Sequence, residues 1–160
     1  MERPSVRRLR EEIQQTKPFH DRCHAAALAL VRTADEARRG FEAVVEPPDL
    51  SVEQYNVLRI LRGAGDQGLP TLEIAARLLE KSPGITRLID KLEAKQLVLR
   101  VRCTEDRRQV FCKITAAGTE LVNGLDAPTR RQTQHFFRGL TATQIDQFID
   151  LLDRVRYPDQ

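Results

Sequence analysis

The side chains of this chain best suited to chemistry on a polyanion lie in residues 82–96, SPGITRLIDKLEAKQ. Read as a helix, the stretch places Ile85, Leu88, Ile89 and Leu92 on one apolar stripe at i, i+3, i+4, i+7 spacing. The opposite side is centred on Pro83, Arg87, Asp90 and Ala94, flanked by Gly84, Thr86 and Lys91. Ser82 is the expected N-cap, with Pro83 at the first helical position, where a missing N–H costs nothing. A helix anchored on one face and small, basic and hydroxyl-bearing on the other suits the DNA major groove. Arg87 and Lys91 can pair with guanine O6 and N7 or with phosphate, and Thr86 and Ser82 can donate to phosphates. Pro83 and Gly84 let the positive helix N-terminus approach closely. Asp90 would repel phosphate, so it is expected to neutralise a neighbour such as Lys91 or Arg87.

Charge distribution supports a polyanion partner. Across 160 residues the net charge is only +3, but residues 77–113 hold ten Lys/Arg against five Asp/Glu. The remainder is slightly acidic. A neutral scaffold with one basic segment is the footprint of a nucleic-acid binder, the alternative being a mixed-charge solvated face. Arg107 and Arg108 are further candidates, and Arg62, Arg77, Arg100 and Arg102 could reach the DNA backbone.

Other chemistry is thinly represented. Three Cys and no Trp occur, the N-terminal MERPSVRRLREE has no apolar signal-like core, and the longest uncharged apolar run is too short to span a membrane. These features suggest a cytoplasmic chain with free thiols and no membrane partner. Cys23 falls on an apolar stripe, so a buried structural thiol is expected there, with a redox role as the alternative. His20 and His24 lie one turn apart but lack a completing ligand set, so no metal site and no cofactor are expected. Without a G-x-S-x-G, a Gly-rich phosphate loop or an H-E-x-x-H, no enzyme is expected.

The elements that must position the basic helix follow from periodicity. Residues 1–17 read as an Arg- and Glu-rich arm. From Pro18, the residues Phe19, Cys23, Ala26, Ala27, Leu30, Ala34, Ala37, Phe41, Val44 and Val45 recur at three- and four-residue steps, predicting a long helix that Pro47 and Pro48 end. So long a stripe exceeds what the domain needs for its own core, and a second subunit is its natural partner. Ser51 with Gln54, and Leu50 with Tyr55, form a capping box and a staple opening a helix that Gly63 and Gly65 end. Leu69 reads as a minimal strand, and Thr71 as the cap of TLEIAARLL. That helix and the basic one make a helix-turn-helix. LVLRVRC (97–103) and QVFCKIT (109–115) alternate like half-buried strands, with TEDRR as a basic hairpin tip, a wing able to reach a flanking groove. In that pairing Cys103 falls opposite residues near 109, not Cys112, so no disulfide is expected within the wing. A helix from Thr115 to about Arg138 should kink or break at Pro128. The last opens with a capping box, Thr141 to Gln144, and carries Phe148, Ile149, Leu152 and Val155.

The runs TRLIDKLE and DRR, the latter before a strand ending in ITAAG, resemble the MarR family of winged-helix transcriptional regulators over roughly residues 18–156. Gln96 departs from the pattern, which usually has Gly before the first wing strand. The resemblance implies a mainly α (α+β) fold: a winged helix-turn-helix with long N- and C-terminal dimerisation helices. Its parts would be an arm (1–17), an N-terminal dimerisation helix (18–49), the DNA-binding region (50–115) and C-terminal dimerisation helices (116–160). It also implies a homodimer on a pseudo-palindromic operator in double-stranded DNA, more often repressing, and released by a small aromatic or anionic effector. Asp106 would orient a wing arginine by an ion pair. Alternatives are a thiol- or metal-responsive regulator of the same fold, or a winged-helix protein-interaction module that does not bind DNA.

Overall fold

Capping chemistry sets most of the helix boundaries. The computed structural model describes residues 3–80, 84–102 and 110–159. In chain order these form α1 (Pro4–Glu12), α2 (Arg22–Val45), α3 (Val52–Ala64), a 3₁₀ turn (Gly65–Gln67), β1 (Leu69–Pro70), α4 (Thr71–Arg77) and α5 (Ile85–Ala94). β2 (Val98–Arg102), β3 (Val110–Ile114), α6 (Ala116–Phe136) and α7 (Ala142–Arg156) complete them. The fold is mainly helical, with one antiparallel sheet in the order β1-β3-β2. Two compact units result, Met1–Gly40 and Phe41–Gln160.

The boxes expected at Ser51–Gln54 and Thr141–Gln144 are both formed, each cap hydroxyl accepting from the N3 amide. Several details differ from expectation. The long helix begins at Arg22, not Pro18, because Asp21 Oδ1 accepts the His24 amide at 2.8 Å. Thr71 is the first residue of α4 rather than its cap; Pro70 holds that position, and the Thr71 hydroxyl lies 3.8 Å from Cys112 Sγ. α6 continues through Pro128 without a break. The hydrogen bond that proline cannot donate is offset by Val122 and Leu125, which join the core one to two turns earlier.

In the first unit, α1 buries Leu9 and α2 buries Ala25. A cavity of about 730 Å³ there has apolar walls from Val6, Leu9, Phe19 and Ala25, with Arg3 and Arg22 among its lining residues.

The second unit is closed on a core of Leu58, Leu61, Ile74, Ile89, Leu92 and Val122, with Val45 from the last turn of α2. Leu58 and Leu61 of α3, Ile74 of α4 and Ile89 and Leu92 of α5 are all fully buried, so the two helices of the helix-turn-helix share one apolar centre. β2 and β3 pair with Arg100 opposite Cys112 and Arg102 opposite Val110, and β1 adds Leu69 opposite the same Cys112. Gly68 makes that third strand accessible. It has φ +69°, and a Cβ there would fall 2.4 Å from the Cys112 carbonyl oxygen.

Candidate nucleic-acid interface

α5 has the two faces expected of it. Ile89 and Leu92 are fully buried and Ile85 and Leu88 pack against the same core. Thr86, Arg87, Asp90, Lys91 and Ala94 are exposed. The helix starts later than expected: its N-cap is Gly84, with no side-chain cap hydrogen bond. Ser82 and Pro83, the expected cap and first residue, lie outside the described residues. So do Asp106, Arg107 and Arg108 of the hairpin tip, and Cys103.

The C-terminal end of α5 is fixed by a backbone motif. The Leu97 amide donates to the Leu92 carbonyl at 3.0 Å and the Gln96 amide to the Glu93 carbonyl at 2.8 Å, with Gln96 at φ +59°. This is the Schellman arrangement, whose left-handed residue is usually glycine. Gln96 thus occupies the position where the resemblance calls for Gly, and the turn is retained. Thr115 locks the far side: its hydroxyl donates to the Gln96 carbonyl at 2.9 Å and accepts from the Gly118 amide at 3.0 Å. Gly118 has to be small, because a Cβ would fall 2.4 Å from the Leu97 carbonyl oxygen. The ITAAG run therefore seats the start of α6 directly on the turn between α5 and the wing.

The acidic residue on the exposed face is neutralised from an unexpected quarter. Asp90 pairs with neither Lys91 nor Arg87; it accepts from Arg100 Nη2 on β2 at 2.6 Å. The same guanidinium donates through Nη1 to Glu93. The hydrogen bond with Asp90, reinforced by the charge of Glu93, holds Arg100 above its ordinary range. Arg100 is therefore occupied within the fold. So is Arg62, whose fork meets both oxygens of Asp126 at 2.8 and 3.0 Å and also Asn123 at 2.8 Å. That pairing joins α3 to α6 and holds the Asp126 carboxyl below its usual range. Arg77 lies 3.2 Å from Glu73 one turn earlier, an exposed pair of small energetic weight. Lys95 closes the rear of α5, its Nζ 2.8 Å from Asp49 Oδ2. Among the described residues Arg87, Lys91 and Arg102 form no ion pair.

Long-range partners such as Asp90–Arg100 carry no local spacing signal, and sequence reasoning missed them. The Asp21 cap was legible in principle, since Asp is a strong N-cap residue.

Cys23 is exposed, not buried. Periodicity placed it correctly on the stripe, but Ala26, Ala27 and Leu30 of that stripe are exposed as well. His20 and His24 stack with ring centroids 5.5 Å apart. Among the described residues no group of three His, Cys, Asp or Glu side chains could hold a metal ion.

A sequence model of the MarR family matches residues 50–110, from the staple of α3 to the first residue of β3. The HTH-type transcriptional regulator MhqR of Bacillus subtilis (strain 168) is 31% identical over 106 residues, covering 66% of this chain and 72% of that protein. The chain belongs to the MarR family. A MarR transcription factor from Planctomyces limnophilus is 38% identical, with a TM-score of 0.66, over 84% of this chain and 98% of that one. CouR from Rhodococcus jostii RHA1, solved bound to p-coumaroyl-CoA, shares the fold, with a TM-score of 0.72 and 24% identity over 89% of this chain and 99% of CouR. The chain is thus a DNA-binding transcriptional regulator of MarR type, as its TRLIDKLE and DRR runs indicated. In MarR terms α4 and α5 are the helix-turn-helix and β2–β3 the wing. Among the described residues no helix is long and apolar enough to cross a membrane.

Proposed function

We propose that this MarR protein is a cytoplasmic repressor that binds a pseudo-palindromic operator in double-stranded DNA as a homodimer. α5 enters the major groove, where Arg87 and Lys91 contact base edges or phosphate and Thr86 donates to the backbone. Ser82, Pro83 and Gly84 bring the helix N-terminus against a phosphate, and Arg107 and Arg108 of the wing reach the flanking groove, with Asp106 orienting one of them. The observation that carries this reading is the exposed face of α5: two basic side chains without ion pairs among the described residues, opposite a stripe anchored by the fully buried Ile89 and Leu92. Residues 18–49 and 116–160 supply dimerisation, supported by the exposed apolar side chains Ile149, Leu151 and Val155 of α7. The protein catalyses no reaction and carries no cofactor. A small aromatic or anionic effector releases the DNA, a role supported by the p-coumaroyl-CoA bound to CouR.

Titration of the DNA upstream of its own gene at increasing salt tests the proposal. Binding should be sequence-specific, with log affinity falling steeply against log salt. Arg87→Ala and Arg108→Ala should each weaken it by about 1–3 kcal/mol per subunit and leave the dimer intact. Wild-type affinity in both variants would overturn the assignment.

A further inference from the structure

We propose that Arg100 is a positioning residue for DNA reading: it clamps Asp90 and Glu93 of the recognition helix to the base of the wing and so keeps Arg87 and Lys91 available for DNA. The proposal rests on the DNA-binding reading of α5. Arg100 is the middle residue of β2, opposite the fully buried Cys112 of β3. Its guanidinium bridges two carboxylates one turn apart on α5, donating to Asp90 at 2.6 Å and also to Glu93. Its side chain is 28% exposed against 56% for Asp90 and 41% for Glu93, so the cation lies on the protein side of both acids.

The consequence follows from helix geometry. Asp90 stands three residues after Arg87 and beside Lys91. Glu93 stands three after Asp90. Left alone, the two acids would repel each other and any nearby phosphate, and Asp90 would pair with Arg87 one turn away. Such a pair would turn a base-reading arginine back onto its own helix. Arg100 removes the competition by taking both carboxylates. A planar fork serves the two carboxylates from two separate nitrogens in fixed directions, whereas a lysine would have to share one point charge between them. The clamp also joins strand to helix, so the wing keeps its angle to α5 when the helix enters the groove.

Fluorescence anisotropy of the full-length protein, on labelled upstream DNA and on a scrambled duplex, tests this across a salt series. Arg100→Gln should weaken binding to the upstream DNA by roughly 10–30-fold and to the scrambled duplex by less than about threefold. The slope of log affinity against log salt should stay unchanged, since no phosphate contact is lost. In an Asp90→Asn, Glu93→Gln background the same Arg100→Gln change should cost under about threefold, because the acids it restrains are gone. Arg100→Lys, which keeps the charge and the alkyl stem, should fall between the two and guards against a folding defect. An equal loss in both backgrounds, with the slope falling by about one per subunit, would make Arg100 a direct phosphate contact and overturn the clamp. A lowered melting temperature with undiminished affinity for upstream DNA would reduce it to a structural residue. If the wild type fails to prefer the upstream DNA, the DNA-binding reading falls and takes the clamp with it.

Discussion

Two amphipathic helices of this protein, α5 and α7, are equally regular in sequence and differ sharply in their surroundings. α5 buries Ile89 and Leu92 completely against α3 and α4. α7 opens on a complete capping box, yet none of its residues is buried, and Ile149 and Val155 are 55% and 68% exposed. α2 resembles α7: in its middle Leu30 and Val31 are exposed. The reading head, the winged helix-turn-helix built on α3–α5 and β1–β3, closes its core within one chain, whereas α7 and α2 hold apolar stripes that are exposed in this chain. An apolar period states which face of a helix seeks burial. It does not state whose side chains will bury it, and here the answer differs between the centre of the chain and its ends.

Substitutions on either side of that contrast should behave differently, most strongly inside the head. Leu92→Ala opens a cavity beneath the recognition helix and should cost about 2–5 kcal/mol in denaturant unfolding. A loss of well under this range would mean that the head is not closed as described. Ile149→Asp lies on an exposed stripe and should leave the fold of a single chain unchanged by circular dichroism. It should nevertheless shift the protein from dimer to monomer in sedimentation and weaken operator binding by on the order of 10²-fold, as two linked reading heads become one. A stable Ile149→Asp dimer would show that this stripe is not an interface. The smallest effect is expected at Gln96, which holds a left-handed conformation at the end of α5. Gln96→Gly should raise stability by up to about 1 kcal/mol through relief of that strain. A destabilised variant would mean that the Gln96 side chain contributes more than its backbone costs.

Much of the reading head was legible because its signals are local. The Ser51 box, the stripe of α5 and the alternation in VLRVR and VFCKI each declare themselves within a few residues. The inward stripe of α5 followed from spacing alone, and of its expected outer side Thr86, Arg87, Asp90, Lys91 and Ala94 are exposed. What escaped was set by pairings across sequence. Arg62 meets Asp126 from α3 to α6, and Arg100 meets Asp90 from strand to helix. Both arginines looked like DNA contacts because a cation read in isolation has no visible partner. Cys23 shows a different limit: it lies on the apolar stripe as expected, and within a single chain that part of the stripe is exposed.

If the protein works as proposed, two copies of α5 read one operator together. Hydroxyl-radical footprinting of the wild-type protein on its upstream DNA addresses this without intermediate steps. Two protected patches should appear, related by an approximate dyad and separated by about one helical turn, roughly 10 bp centre to centre, and at a protein concentration that just saturates the wild type both should fade together in Arg87→Ala. A single protected patch, or undiminished protection by Arg87→Ala at that concentration, would refute the paired reading.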